Sequence, residues 1–135
     1  MVVIKNIMNT DVFKIGQNNA AYDAAKIMVE KNISCLVVEE ENRVIGIITR
    51  KDILEKIVVA KKDIDFVKVG EIMVSPVITI NENATLIAAS SIMKTKKIKQ
   101  LPVLKDERLA GIVTQTDLVS SLGSIMLGED GYKKE

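Results

Sequence analysis

The fold is decided by a short stretch that occurs twice, Gly46-Ile47-Ile48-Thr49-Arg50-Lys51-Asp52 and, 65 residues later, Gly111-Ile112-Val113-Thr114-Gln115-Thr116-Asp117. In each copy a β-branched apolar run passes directly into a Thr-x-x-Asp sequence. Such a run is typical of a strand, and Thr followed three residues later by an acidic residue is typical of the first turn of a helix. Each copy therefore predicts a strand that ends at the N-terminus of a helix.

The duplication extends well beyond these two junctions. With an offset of 65, residues 7–54 align with residues 72–119 without a gap, and 17 of the 48 positions are identical. Ordinary residue frequencies would give roughly three identities. The chain is therefore an internal duplication, and its predicted repeats are residues 1–65 and 66–135.

Each repeat predicts five elements in the order β-α-β-β-α. Hydrophobic spacing and turn residues place them, in the first repeat, at 12–15, 20–31, 33–38, 44–48 and 49–58, and in the second at 77–80, 84–96, 98–104, 109–113 and 114–126. The predicted fold class is therefore α/β in the broad sense that includes α+β. Two β-α-β-β-α repeats are expected to pack as a pseudo-symmetric pair, because a 65-residue unit rarely builds a sufficient core alone.

Two local details of the first repeat are also predicted. Asn18 and Asn19 precede the first helix and are candidate N-caps. The helix that follows Thr49 is expected to bury one apolar face, made by Ile53, Leu54, Ile57 and Val58.

The composition excludes several classes of function. A net charge of +1 offers no excess of Lys and Arg for a nucleic-acid backbone, so nucleic acid is not an expected partner. With no His and a single Cys, Cys35, the chain has no zinc-ligand set and no imidazole base, so we expect neither a metal site nor catalytic residues, and no enzyme. Apolar runs are only strand-sized, so no membrane partner and a cytoplasmic location are expected.

The Thr-x-x-Asp sequences have two compatible interpretations. As a capping box, the Thr hydroxyl and the Asp carboxylate satisfy free amides of the first helical turn. As a ligand site, the carboxylate holds a ribose diol, while the Thr hydroxyl and the helix N-terminus favour a phosphate. The pattern by itself leaves both interpretations open.

The chain resembles the cystathionine-β-synthase (CBS) domain, in the tandem form called a Bateman module. The resemblance rests on the order Ile-Met, Val-x-x-Ile, an Ala-containing helix, Ile-x-x-Leu-x-Val and Gly-Ile-(Ile/Val)-Thr-x-x-Asp, and covers about residues 5–125. It implies two clefts between the repeats that bind AMP, ADP, ATP or S-adenosylmethionine, and no other cofactor. It also implies a role in regulation such as energy sensing, a homodimer, and a protein target controlled in trans.

The resemblance assigns ligand-binding residues to each implied cleft. In the first cleft it assigns Asp117 to the ribose hydroxyls, Thr114 and Thr116 to ribose or phosphate, Phe13 to adenine through its backbone, and Ile33, Ser34 and Ile112 to the lining. In the second it assigns Asp52, Thr49 and Ile47 from the first repeat and Ile78, Lys99 and Gln100 from the second, with Arg50 and Lys51 as further phosphate candidates.

The implied clefts differ in charge, which leads to a hypothesis about ligand preference. Arg50, Lys51 and Lys99 are available as cations in the Asp52 cleft, whereas the Asp117 cleft offers neutral groups such as Ser34 and Thr116. Hydrogen bonds to phosphate are stronger when the donor is charged. A phosphorylated adenosine is therefore expected to prefer the Asp52 cleft.

The resulting functional prediction is a stand-alone regulatory protein that binds an adenosine-containing ligand. The alternative is a structural or oligomerisation module whose clefts are vestigial, since a capping role could retain both Asp residues.

Overall fold

The structure is a computed structural model that describes residues 2–126 and the side chains of residues 2–123. It confirms the predicted mixture of helices and strands, with two three-stranded sheets. The elements in chain order are β1 (Lys14–Ile15), α1 (Ala21–Lys31), β2 (Cys35–Glu40), β3 (Arg43–Thr49), α2 (Arg50–Ile53), α3 (Val69–Ile72), β4 (Ile80–Asn81), α4 (Leu86–Lys96), β5 (Gln100–Lys105), β6 (Arg108–Thr114) and α5 (Gln115–Met126). A π-helical segment, Leu54–Val58, continues α2. No helix within residues 2–126 is both long and apolar enough to cross a membrane.

The two sheets have the same topology. In the first, β1 is parallel to β2 and β2 is antiparallel to β3; β4, β5 and β6 repeat this arrangement. Each antiparallel pair is closed by a two-residue turn with positive φ at both positions, Glu41 and Asn42 in one sheet and Asp106 and Glu107 in the other. Such turns match the twist of the strands that they join.

Packing divides the chain into two compact units that are not consecutive halves. The continuous unit comprises residues 12–77, and the discontinuous unit comprises residues 2–11 together with residues 78–126. These units differ from the predicted repeats 1–65 and 66–135 because the N-terminal segment forms hydrogen bonds with the loop between β4 and α4. The Ile4 amide donates to the Ala84 carbonyl at 2.9 Å, and the Lys5 amide donates to the Glu82 carbonyl at 2.8 Å.

Each unit has its own core, built where the sheet faces its helices. In the continuous unit Leu36, Val38 and Ile48 are fully buried, together with Ala24 of α1. In the discontinuous unit Leu101, Val103 and Val113 are fully buried, and Ile4 from the N-terminal segment joins them. Burial of such side chains contributes roughly 1.5–3 kcal/mol each.

Two local predictions were wrong. The N-cap of α1 is Ala20, which makes no side-chain capping bond, and the Asn19 side chain instead accepts from the Gly16 amide. On the helix after Thr49, Ile53 and Ile57 are buried as predicted, but Leu54 and Val58 are 52% and 59% exposed. Residues four apart share a face of a helix, so burying Ile53 and Ile57 turns their C-terminal neighbours outward.

Candidate functional site

The first Thr-x-x-Asp junction lies where β3 ends and α2 begins, in the continuous unit. The Asp52 Oδ2 atom accepts from the Thr49 amide at 2.8 Å and from the Thr49 hydroxyl at 3.0 Å. The Asp52 amide in turn donates to Thr49 Oγ1 at 3.2 Å. This reciprocal pair is a capping box, and it keeps the carboxylate at the first turn of the helix.

The second junction, between β6 and α5 in the discontinuous unit, has the same two capping bonds but not the hydroxyl-to-carboxylate bond. Asp117 Oδ2 accepts from the Thr114 amide at 2.8 Å, and the Asp117 amide donates to Thr114 Oγ1 at 3.2 Å. The capping interpretation is thus confirmed at both junctions. Capping does not use all the hydrogen-bond acceptor positions of either carboxylate, because each carboxylate has two oxygens and about four acceptor positions.

Burial sorts the predicted site residues into three groups. The buried ones are Asp52, Ile47 and Ile112; the half-buried ones are Ile33, Thr49, Ile78, Gln100, Thr114 and Asp117; the exposed ones are Phe13, Ser34, Arg50, Lys51, Lys99 and Thr116. The buried apolar residues belong to strands, whereas most of the exposed polar and charged residues lie at helix starts or in the loops before strands.

Within each unit, the structure places one further predicted residue beside the junction. The Arg50 amide donates to the Ser34 carbonyl at 2.9 Å, which brings Ser34 next to the start of α2. The Gln115 amide donates to the Lys99 carbonyl at 2.8 Å, so Lys99 has the same position beside α5.

Phe13 lies apart from the junction in its own unit, at the start of β1. Its carbonyl accepts from the Val37 amide at 3.1 Å, which uses one of the two acceptor positions of that carbonyl, part of the backbone that the resemblance assigns to adenine. The Lys31 ammonium lies 5.5 Å from the centroid of the Phe13 ring, so the ring face is partly covered.

The charges at the two junctions differ more than the sequence analysis indicated. Lys51 forms an exposed pair with Glu55 at 3.8 Å, and such pairs contribute little. Lys56, which the sequence analysis missed, lies 3.1 Å from Asp52 Oδ1. The signal for it was present, because a Lys four residues after an Asp on a helix is a recognised pairing pattern.

A pocket of about 330 Å³ opens at the opposite end of β2 from the first junction. It is lined by Gly16, Gln17, Asn18, Asn19, Glu39 and Glu40. None of the predicted ligand-binding residues lines it, and all of its lining residues except Gly16 have polar or anionic side chains. The duplicated junctions, rather than this pocket, carry the candidate site.

Cys35 and the acidic residues add no separate site. Burial disfavours the thiolate and raises the pKa of Cys35 to about 11, so this thiol is protonated at neutral pH. Among the described residues, no cluster of three or more His, Cys, Asp or Glu side chains could hold a metal ion.

Comparison with known proteins identifies the repeats. The family profile of the CBS domain matches the chain twice, at residues 4–59 and 69–124. An uncharacterized protein of Methanocaldococcus jannaschii is 42% identical over 118 residues, which is 87% of this chain and 61% of that protein. The chain spans 61%, 55% and 53% of the first three curated relatives that it matches.

Two solved structures are similar over most of the chain. The CBS domain pair of protein MJ0100, in complex with 5′-methylthioadenosine and S-adenosyl-L-methionine, has a TM-score of 0.82 and 31% identity, and covers 93% of this chain and 98% of that one. A hexameric CBS-CP12 protein from bloom-forming cyanobacteria has a TM-score of 0.85 and 26% identity, and covers 93% and 74% respectively.

Proposed function

This chain belongs to the CBS-domain family, with two CBS domains in tandem, and on that premise we propose that it is a non-catalytic regulatory protein that binds an adenosine-containing ligand at its Thr-x-x-Asp junctions. AMP, ADP, ATP and S-adenosylmethionine are the candidate ligands. Binding favours one conformation of the protein. A separate, unidentified target protein binds or responds to that conformation and is regulated by it, for example in energy sensing.

The observation that carries this proposal is the state of the Asp117 carboxylate. It is half-buried, and Oδ2 alone is used for the helix cap. Within the side chains that the structure describes, Oδ1 accepts no hydrogen bond, so it is available to a ribose hydroxyl. Both ligands of the similar MJ0100 pair contain a ribose diol, which supports this class of ligand.

A thermal-shift measurement with AMP, ADP, ATP, S-adenosylmethionine, NAD and GTP tests the proposal. A ligand at a hundred times its Kd stabilises the folded state by about 2.7 kcal/mol. For a chain of 135 residues this raises Tm by roughly 10 °C. GTP, which has the ribose but no adenine, is expected to have the smallest effect. A Tm that no adenosyl compound changes would contradict the proposal.

A structural or oligomerisation module is the second candidate. It is favoured by the capping boxes themselves, because Thr49–Asp52 and Thr114–Asp117 stabilise their helices whether or not a ligand binds. Under this alternative the junctions are vestigial as binding sites, and none of the adenosyl compounds changes Tm.

We also propose that the protein forms a homodimer, because an apolar surface is exposed on the helical segment after Thr49. Leu54, Val58 and Val59 are 52%, 59% and 75% exposed; the first two lie in the π-helical segment, four residues apart, and Val59 is the residue that follows it. A second copy of this chain can bury that surface with the same residues. The hexameric CBS-CP12 protein is a precedent for assembly in a similar fold.

Light scattering after gel filtration is expected to give twice the chain mass of 14.9 kDa for the wild type and a single chain mass for Val58→Glu. Desolvating the introduced charge would oppose association. Val29→Glu, at an 80% exposed position of α1, is the matched control and should stay dimeric. A monomeric wild type would overturn the dimer proposal, and a dimeric Val58→Glu variant would overturn this surface as the interface.

A further inference from the structure

Lys56 connects the first junction to a distant part of the same unit. Its ammonium lies 3.1 Å from Asp52 Oδ1 and donates a hydrogen bond of 2.9 Å to the Ile72 carbonyl at the end of α3. The carbonyls of the last helical turn have no partner within their helix, so Ile72 is a natural acceptor. Two acceptors on different elements hold the flexible lysine in place.

Lys56 is the third donor to the Asp52 carboxylate, which has about four acceptor positions and so keeps room for a ligand hydroxyl. Thr49 uses Oδ2 through its amide and hydroxyl, and Lys56 uses Oδ1. The Asp52 side chain is only 8% exposed, whereas that of Lys56 is 43% exposed. The charge of a largely buried carboxylate is therefore compensated by a cation that itself remains in contact with water.

Among the described side chains no cation pairs with the Asp117 carboxylate, although Lys99 lies beside the start of α5 through its backbone. The position that aligns with Lys56 is Ser121, and the positions that align with Arg50 and Lys51 are Gln115 and Thr116. Within the described side chains, no Lys or Arg nitrogen lies within 4 Å of the Asp117 carboxylate, although Lys14, Lys51 and Lys56 each form an ion pair elsewhere. The two junctions thus share their capping geometry but differ in local charge.

This difference matters for an anion. A phosphate about 8 Å from an uncompensated carboxylate is repelled enough to change a binding constant by about fivefold, at an effective dielectric constant of about 40. A carboxylate with a cation on one of its oxygens repels the same phosphate much less. The affinity of an uncharged nucleoside depends little on whether the carboxylate is paired with a cation.

We propose that Lys56 is a specificity-determining residue that gives the Asp52 junction a preference for a phosphorylated adenosine over an uncharged one. The Asp117 junction, with no such lysine, prefers an adenosyl ligand without a phosphate. This inference rests on the proposed function. It adds to that function a separate ligand charge for each junction, set by one side chain.

The test compares AMP with adenosine by isothermal titration at low ionic strength. In Asp117→Ala protein, where only the Asp52 junction keeps its carboxylate, Lys56→Met is expected to reduce the preference for AMP over adenosine by about fivefold. Lys62→Met removes the same charge from an exposed position ten residues beyond Asp52, at a residue with no assigned role in binding, and is the matched control with a change below twofold. At 0.5 M salt the effect of Lys56→Met should largely disappear, because added salt screens the interaction.

The converse variant keeps the proposal testable if Lys56→Met fails to fold. In Asp52→Ala protein, Ser121→Lys is expected to raise the preference of the Asp117 junction for AMP by about fivefold. Binding of both compounds with an unchanged ratio in these variants overturns the role of Lys56 and leaves the proposed function standing. A wild type that binds neither compound overturns both.

Discussion

Alanine in place of Gly111 is expected to lower the free energy of unfolding by about 1–3 kcal/mol, because an added Cβ would overpack a close backbone contact. That atom would lie 2.8 Å from both the Asn9 carbonyl oxygen and the Met8 sulfur. Met8 could move, but Asn9 cannot, since its amide and carbonyl both bond to Ile112 at 2.9 Å.

Gly46 has the same role in the continuous unit. Its Cβ would lie 2.9 Å from the Val74 carbonyl oxygen, and Val74 exchanges two backbone hydrogen bonds with Ile47. Gly46→Ala is therefore expected to cost a similar amount. The two glycines occupy aligned positions, so the two variants test the duplicated geometry as well as each contact.

Gly123 provides the control, because no atom lies within 4 Å of a Cβ built on it and it is inside α5. Gly123→Ala should raise the stability by roughly 0.5–1 kcal/mol, since glycine loses more backbone freedom on folding than alanine does. Urea unfolding followed by circular dichroism gives all three values. Wild-type stability in both Gly46→Ala and Gly111→Ala would show that these close contacts impose no constraint.

Asp52→Ala is expected to weaken AMP binding by about 10- to 100-fold, and by more than Asp117→Ala does. The lower limit corresponds to the loss of one hydrogen bond to a charged group. AMP is expected to occupy mainly the Asp52 junction, where Arg50, Lys51 and Lys56 supply three cations, whereas the aligned residues of α5 are Gln115, Thr116 and Ser121. For uncharged 5′-methylthioadenosine, Asp117→Ala should have the larger effect.

Isothermal titration of the two alanine variants measures these losses. Each variant also loses a helix cap, at a cost of about 0.5–2 kcal/mol, so folding is verified by circular dichroism before titration. Glu30→Ala removes an exposed carboxylate from α1 and should leave the AMP affinity unchanged. Equal losses of AMP affinity in Asp52→Ala and Asp117→Ala would contradict the assignment of AMP to one junction.

Several features could be predicted from the sequence because they depend on residues close together in the chain. The 65-residue duplication predicted the same β-α-β-β-α order in both halves, and the structure and the family comparison confirm it. The Thr-x-x-Asp spacing predicted both capping boxes, since the atoms that bond are three residues apart. The turns at 41–42 and 106–107 follow from polar residues between two strands.

Other features could not be predicted from local pattern. Leu54 and Val58 match an apolar helix face, but which face meets the core depends on where β2 and β3 place Ile53 and Ile57. Asn19 has the composition of an N-cap, yet its side chain accepts from Gly16 because the loop before α1 turns back on itself.

The sequence by itself determined the duplicated fold, the family and the carboxylate at the start of one helix in each repeat, because short-range spacing and hydrophobic period specify them. Only the tertiary structure decided that the N-terminal segment packs in the unit of the second sheet, and that a carbonyl of α3 fixes Lys56 beside Asp52. Lys56 is held in place by the Ile72 carbonyl, 16 residues further along the chain. Such a bond exists only once packing has brought α3 to the junction, and for that reason it leaves no periodic signal in the sequence.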